Sequence, residues 1–193
     1  LNVEVGTPYD LPITPGGSYN FMVNWGDDDI YSPVTSADRS NASHVYAALG
    51  LYEITILVDP TAGLFSDLLV SSPLNDTFSW ALMDVVLSAS KVVTIDNAFT
   101  SCSNLEKVTF LKDALKNITS MAGTFQGCSK LKDLIFKDGE STRSIQNFSY
   151  CFNQAGTSNS GITETGDGLH INSAINMEQA FSSSSFSTIS GLS

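Results

Sequence analysis

Few side chains here are of a type that does chemistry, and their spacing limits what that chemistry would be. The histidines are His44 and His170. His44 opens an apolar stretch and His170 lies between Leu169 and Ile171, so each reads as a structural residue at a strand. Neither has the supporting motif that a Ser-His-Asp arrangement requires. Asp27, Asp28 and Asp29 are consecutive carboxylates and form the one weak candidate for Ca²⁺, which takes six to eight oxygens. No ligand-spaced loop surrounds them, so a solvated turn is the first expectation. Residues 161–168 carry the glycines of a phosphate loop, but Glu164 and Asp167 would repel phosphate. That stretch reads as a loop inserted between structural units, where solenoids often bind. Catalysis would need His170 gathered with Glu164 or Asp167, and nothing in the spacing predicts it. The chain is expected to be no enzyme and to carry no cofactor.

The cysteines are Cys102, Cys128 and Cys151, an odd count that argues against a disulfide framework. Cys102 and Cys128 share one repeat slot and would stack about 5 Å apart, within disulfide reach. Buried thiols acting as small hydrophobes are the favoured reading. Cys151 falls outside that register.

Twenty acidic residues against 9 basic ones give a net charge of −11, which repels nucleic acid and anionic membranes. Only 15% of residues are charged, and Ser, Thr, Asn and Gly supply much of the polarity. That composition suits β-structure and extracellular surfaces. No apolar run approaches the roughly 20 residues of a membrane span, so no direct insertion is expected. The chain begins at Leu1 and stops within what reads as an unfinished repeat, as a piece of something longer would.

The element that must position these groups is a repeat. Val92, Ile95, Phe99, Cys102, Leu105, Val108 and Phe110 recur 26 residues later as Ile118, Met121, Phe125, Cys128, Leu131, Leu134 and Phe136. Repetition at this period signals a solenoid whose units bury their core faces against one another. Ile95, Phe99 and Cys102 have the spacing of one helix face, as do Met121, Phe125 and Cys128. Leu105, Val108 and Phe110 then lead into a short strand, as do Leu131, Leu134 and Phe136. A third unit keeps Ile145, Phe148 and Phe152, with its strand slots dissolving into a loop over 156–161. A fourth keeps Met177 and Phe181, with Phe186 and Ile189 near the later positions.

Upstream, Val3 and Val5 alternate with polar residues before a proline-rich lead-in. Tyr19, Phe21, Val23 and Trp25 alternate with Asn20, Met22 and Asn24, which predicts a half-buried strand over 19–25. Residues 26–29 form the turn that ends it. In the 59–91 stretch, 65–70 and 80–87 are each apolar enough for a strand or short helix, and Phe78 and Trp80 are candidate end caps for the solenoid.

These residues carry two resemblances. Trp25-Gly26-Asp27 followed by His44, Tyr46, Gly50 and Tyr52 resembles the signature of polycystic-kidney-disease (PKD) domains, immunoglobulin-like sandwiches of extracellular proteins. The match covers about 19–58, which implies a minimal sandwich whose open edge docks on the next module of the chain. The repeat resembles the BspA-like leucine-rich repeats of bacterial, protist and viral surface proteins. Met121, Phe125, Cys128, Leu131 and Leu134 stand at that family's pattern positions. The pairing of the two modules fits the same class of surface protein.

The expected architecture is therefore mainly β with short helices. A PKD-like module spans 1–60, a connecting or capping segment 61–91, and a leucine-rich solenoid 92–193, with units near 92–117, 118–144, 145–173 and 174–193. The expected function is non-catalytic recognition or adhesion on a cell or virion surface. The partner would be a protein or glycan of a target surface. The alternative is a structural virion component (decoration, fibre or assembly protein) that contacts neighbouring subunits.

Overall fold

A computed structural model describes residues 1–11, 20–35, 38, 40–58, 81–87, 94–158, 161–166 and 168–188. The expectations placed on Tyr19, on the lead-in prolines Pro12 and Pro15, on 65–70, Phe78, Trp80, Val92, Asp167 and Ile189 lie outside those residues.

The amino-terminal part is built of short antiparallel strands. Strands β1 (Asn2–Val3), β2 (Pro8–Asp10), β3 (Asn20–Asn24), β4 (Ser32–Thr35), β5 (Ser43–Val45), β6 (Gly50–Leu51) and β7 (Thr55–Val58) form one three-stranded sheet, β4-β3-β7, and two pairs, β1-β6 and β2-β5. The alternation along β3 holds at Phe21 and Val23, which are buried, and at Met22, which is exposed. It breaks at Asn24, which is buried rather than outward. Its amide nitrogen donates to the carbonyls of Asp28 and Ile30 at 3.0 and 3.2 Å, and its Oδ1 accepts from the Gly26 N–H at 2.7 Å. A side chain that replaces the turn's missing backbone partners is more stable inside than out.

The carboxy-terminal part is a β-solenoid of about four turns. Strands β8 (Asp84–Leu87), β9 (Lys107–Phe110), β10 (Asp133–Phe136), β11 (Ile162–Thr165) and β12 (Phe186–Thr188) form one five-stranded parallel sheet in sequence order. The sheet begins at Asp84, inside the stretch expected to be a connecting segment. Val85, Val108, Leu134 and Glu164 lie in one register column. Val108, Leu134 and Glu164 are buried and Val85 half-buried.

The expected helices of the repeat are absent. Where the spacing predicts them, each coil runs through turns. The local bonds are of the three-residue kind: the N–H groups of Ala98, Thr100 and Cys102 donate to the carbonyls of Ile95, Asn97 and Phe99. The intervening N–H groups of Asn97, Phe99 and Ser101 donate instead to Ala122, Thr124 and Gln126 in the next coil, at 2.7 to 3.0 Å. Gly123, Phe125 and Gly127 repeat this to Ser149, Cys151 and Asn153, and Tyr150, Phe152 and Gln154 to Glu178, Ala180 and Ser182. The reason is conformational. Positive φ recurs every four residues within a coil, at Asn97 and Ser101, Gly123 and Gly127, Tyr150 and Gln154, Gln179 and Ser183. Left-handed residues at that interval turn alternate N–H groups out of the coil, so no α-helix can propagate. The coil side opposite the sheet is thus a second inter-coil ladder.

The third coil also departs from expectation. Its strand does not dissolve, and 161–168 is not wholly an inserted loop. The strand slot comes 30 residues after the second coil's (Leu134 to Glu164), three more than the 27 that separate Phe125 and Phe152, and then pairs in register as β11. The extra length is taken up between the turns and the strand.

Phe99, Phe125, Phe152 and Phe181 stack face to face through the solenoid, with centroids 5.7, 5.5 and 5.5 Å apart. Phe110 and Phe136 make a second stack at 5.1 Å. Burying each such ring stabilises the fold by about 1.5–3 kcal/mol, and ring stacking adds about 0.5–1.5 kcal/mol per pair. The second stack ends at a glycine. A Cβ on Gly168 would lie 2.1 Å from the Phe136 ring, so only glycine lets the backbone cross that face.

Candidate functional site

Two regions concentrate side chains of functional type. The first lies in the amino-terminal module, around Tyr46. Trp25 directly follows β3 and His44 sits in β5, and their rings stack at 5.2 Å with 16° between planes. Tyr46 is edge-on to His44 at 4.6 Å and to Tyr9 at 5.8 Å, and stacks on Tyr52 at 4.2 Å. Its hydroxyl donates to the Trp25 carbonyl at 2.8 Å. Burial, and next the nearby Asp27 charge, push the Tyr46 hydroxyl well above its ordinary pKa. Gly26 has φ +83°, and a Cβ there would lie 2.5 Å from the Glu53 carbonyl. Gly50 passes beneath the Tyr52 ring, 3.1 Å from where its own Cβ would stand. Trp25, Gly26, Asp27, His44, Tyr46, Gly50 and Tyr52 therefore meet in one cluster.

His44 Nε2 and Asp27 Oδ2 are 2.7 Å apart, both partly open to solvent. Among the described residues no hydroxyl or thiol hydrogen-bonds to His44. The three aspartates do not converge. Asp27 faces His44, whereas Asp28 Oδ1 accepts from the Ile30 N–H at 2.9 Å in a local turn. Among the described residues no group of three His, Cys, Asp or Glu is placed to hold a metal ion.

The second region is the solenoid. Ile95, Phe99, Cys102, Leu105, Val108, Met121, Phe125, Cys128, Leu131, Leu134, Phe148 and Phe152 are buried in its core, while Met177 and Phe181 in the last coil are only half-buried. All three cysteines are free and buried. Burial raises the Cys102 thiol to about 12, and raises Cys128 and Cys151 well above the ordinary thiol value. Protonated thiols of this kind are poor nucleophiles. Cys128 Sγ donates to the Phe99 carbonyl of the previous coil at 3.0 Å. Cys151 occupies the slot of Thr124, beside the phenylalanine column rather than within the Cys102–Cys128 column.

His170 is not on a strand. It follows β11, and its N–H donates to Thr142 Oγ1 at 2.7 Å while that hydroxyl donates to the His170 carbonyl. Glu164 does lie on β11, pointing inward, and its Oε1 accepts from the Gly168 N–H at 2.9 Å. His170 and Glu164 are 5% and 4% exposed, which leaves little of either open to a substrate from solvent.

The apolar alignment misses a polar column. Thr94, Ser120, Asn147 and Asn176 keep the same offsets as the phenylalanines, and each side-chain oxygen accepts the N–H two residues on, at 3.0 to 3.4 Å. The signal is present as a small oxygen-bearing side chain five residues before every repeat phenylalanine.

On the outer face of the sheet, the register places Val86, Thr109, Ile135 and Thr165 in one column and Asp84, Lys107, Asp133 and Thr163 in another. Lys107 pairs with Asp84 at 2.7 Å, and beside them Lys132 pairs with Glu106 at 2.6 Å. The Glu106 carboxylate raises the Lys132 pKa. Such exposed pairs fix little stability but pattern the surface charge.

Among the described residues no helix is long and apolar enough to cross a membrane. Comparison with protein-family models, with curated proteins and with solved structures finds no match to this chain.

Proposed function

We propose that this chain is a non-catalytic recognition or adhesion protein of an extracellular, cell or virion surface. In this reading a PKD-like module precedes a BspA-like leucine-rich solenoid. The observation that carries the reading is the outer sheet face. Two ladders fix each coil on the next, so Val86, Ile135 and Thr165 of the β-branched column, with Thr109 buried among them, are held in register beside the charged column at Asp84, Lys107 and Asp133. A surface ordered before binding loses little entropy on contact, which favours recognition by complementarity. The partner is a protein or glycan of a target surface.

The test is adhesion of the purified protein to target cells and to glycan arrays, with Val86→Arg, Ile135→Asp and Thr165→Arg. Binding that falls at least tenfold in these variants, while circular dichroism is unchanged, supports the proposal. Binding that survives all three overturns it.

A second reading, a structural component of a virion or other assembly, draws on a different observation. Phe181, Phe186 and Met177 at the last coil are half-buried, where their counterparts in earlier coils are covered.

A further inference from the structure

The turn ladder has a direction. Asn97 N–H donates to the Ala122 carbonyl, the next peptide's N–H, on Gly123, donates to Ser149, and Tyr150 donates to Glu178. Phe99, Phe125 and Phe152 head a second such chain of peptides, and Ser101, Gly127 and Gln154 a third. In all three, every N–H points toward the carboxy-terminal coil and every C=O points back. Peptide dipoles aligned head to tail reinforce one another, as they do in a helix.

The three chains end at Gln179, Phe181 and Ser183. Among the described residues their N–H groups find no acceptor, although in each earlier coil the equivalent three are satisfied by the next coil. Gln179 and Ser183 keep the positive φ, 48° and 55°, that turns those donors outward. Between them the half-buried Phe181 ring closes a stack whose other members are at most 1% exposed. The last coil thus offers a row of donors at alternate residues with an aromatic face at its centre.

We infer that this edge is a docking site for a segment of the coil's own type, one that presents backbone carbonyls at alternate residues around an aromatic side chain. The argument is continuity: the same donors meet that partner at three successive interfaces within the chain. Polarity also excludes one alternative. Two such edges cannot meet tail to tail, because donors would face donors, so the edge is not a self-complementary dimer contact. The inference is independent of the recognition reading, since it concerns the end of the stack and not its sheet face.

The experiment grafts a copy of residues 112–144 onto the carboxy terminus of the full chain, which sets the grafted Phe125 one 26-residue repeat beyond Phe181, and follows amide exchange by NMR. In the ungrafted chain the amides of Gln179, Phe181 and Ser183 exchange fast, while those of Tyr150, Phe152 and Gln154 are protected. With the graft the first three slow by at least about tenfold, the factor that corresponds to a net gain of 1.4 kcal/mol, the scale of a single hydrogen bond. A graft whose equivalent of Phe125 is Asp gives no such slowing. The inference is overturned if the three amides are already protected without the graft, if neither graft slows them, or if both do so equally. It is also overturned by a closed two-fold dimer of the ungrafted chain, seen in sedimentation as a dimer that does not grow with concentration, that Phe181→Asp abolishes.

Discussion

The two halves of the molecule hold together by opposite plans. In the solenoid the main interactions recur: the phenylalanine stack, the donor ladder and the polar column each repeat at the same offsets. In the amino-terminal module nothing recurs, and one residue, Tyr46, touches Tyr9, Trp25, His44 and Tyr52 at once. The difference teaches where each half is vulnerable. A stack distributes its load, so damage should grade with position along it. A hub concentrates its load, so damage should depend on distance from Tyr46.

The largest effect expected from this contrast is at the middle of the stack. Phe125 lies between Phe99 and Phe152 and is edge-on to Phe110 at 6.5 Å. Phe125→Ala leaves a cavity flanked by rings on both sides and should cost about 3–5 kcal/mol. Phe181→Ala, at the half-buried end, should cost about 1–2 kcal/mol because less surface returns to water. Urea titrations of the two variants measure the gradient. Equal losses would mean the stack is not a graded array.

The second break is by pH, and its sign is set by burial. All three thiols are in the solenoid, and their folded pKa values lie above the ordinary 9.0, at about 12 for Cys102. Below pH 9 both states hold the proton and the stabilisation is fully present. As pH rises past 9 the unfolded chain releases protons that the folded one retains, so stability falls until the folded pKa is reached. Each thiol contributes a slope of about 1.4 kcal/mol per pH unit in that window. Among the described residues the module has no thiol. Its buried hydroxyl, on Tyr46, starts from an ordinary value of 10.0 and is also raised, so its loss begins one unit higher. Residue-resolved exchange between pH 8 and 10 should show the solenoid weakening first. Replacing all three cysteines with alanine should remove that slope, whatever it does to stability at pH 7.

These contrasts also explain what was legible in the sequence. The 26-residue register of apolar slots was legible because core burial is written directly in residue type. The turn ladder was not, because residues at i, i+4 and i+7 share a face in a helix and equally in a coil with left-handed residues every four positions. Gly123 and Gly127, four apart within one supposed helix, are the available clue. The other coils conceal it by using Asn, Ser, Tyr and Gln at those positions. Glu164 reads as part of a loop because a carboxylate in a leucine slot breaks the hydrophobic pattern, although the backbone pairs there as before. In the module the motif residues were legible as a set. Asn24 was not, since its role depends on carbonyls that only the folded turn brings to it.

A finer comparison sets two glycines against each other. Both have positive φ, so alanine at either is strained. At Gly26, near the hub, the new Cβ would also lie 2.5 Å from the Glu53 carbonyl. Gly26→Ala should cost about 2–3 kcal/mol, strain and clash together. At Gly127, in the stack, the nearest atom would be 3.5 Å away, an ordinary contact. Gly127→Ala should cost about 1 kcal/mol, the conformational part alone. Thermal unfolding of the two variants measures the gap, and a larger loss at Gly127 would reverse the view of the module as the less tolerant half.

The smallest expected effect is a gain. Ser101 stands one coil before Gly127 in the same slot, with φ 62°, and its N–H makes the same forward bond, to Gln126. A side chain in that region costs the native state strain that glycine does not carry. Against this, glycine loses more chain entropy on folding. Of the four equivalent positions, Ser101, Gly127, Gln154 and Ser183, one is glycine, and at an exposed left-handed serine the relief of strain is the larger of the two terms. Ser101→Gly should therefore stabilise the chain by about 0.5 kcal/mol, with Gln126 and its neighbours exchanging more slowly. A loss of stability would show that the serine Oγ, 3.6 Å from where a Gly127 Cβ would stand, contributes more by packing than its backbone strain removes.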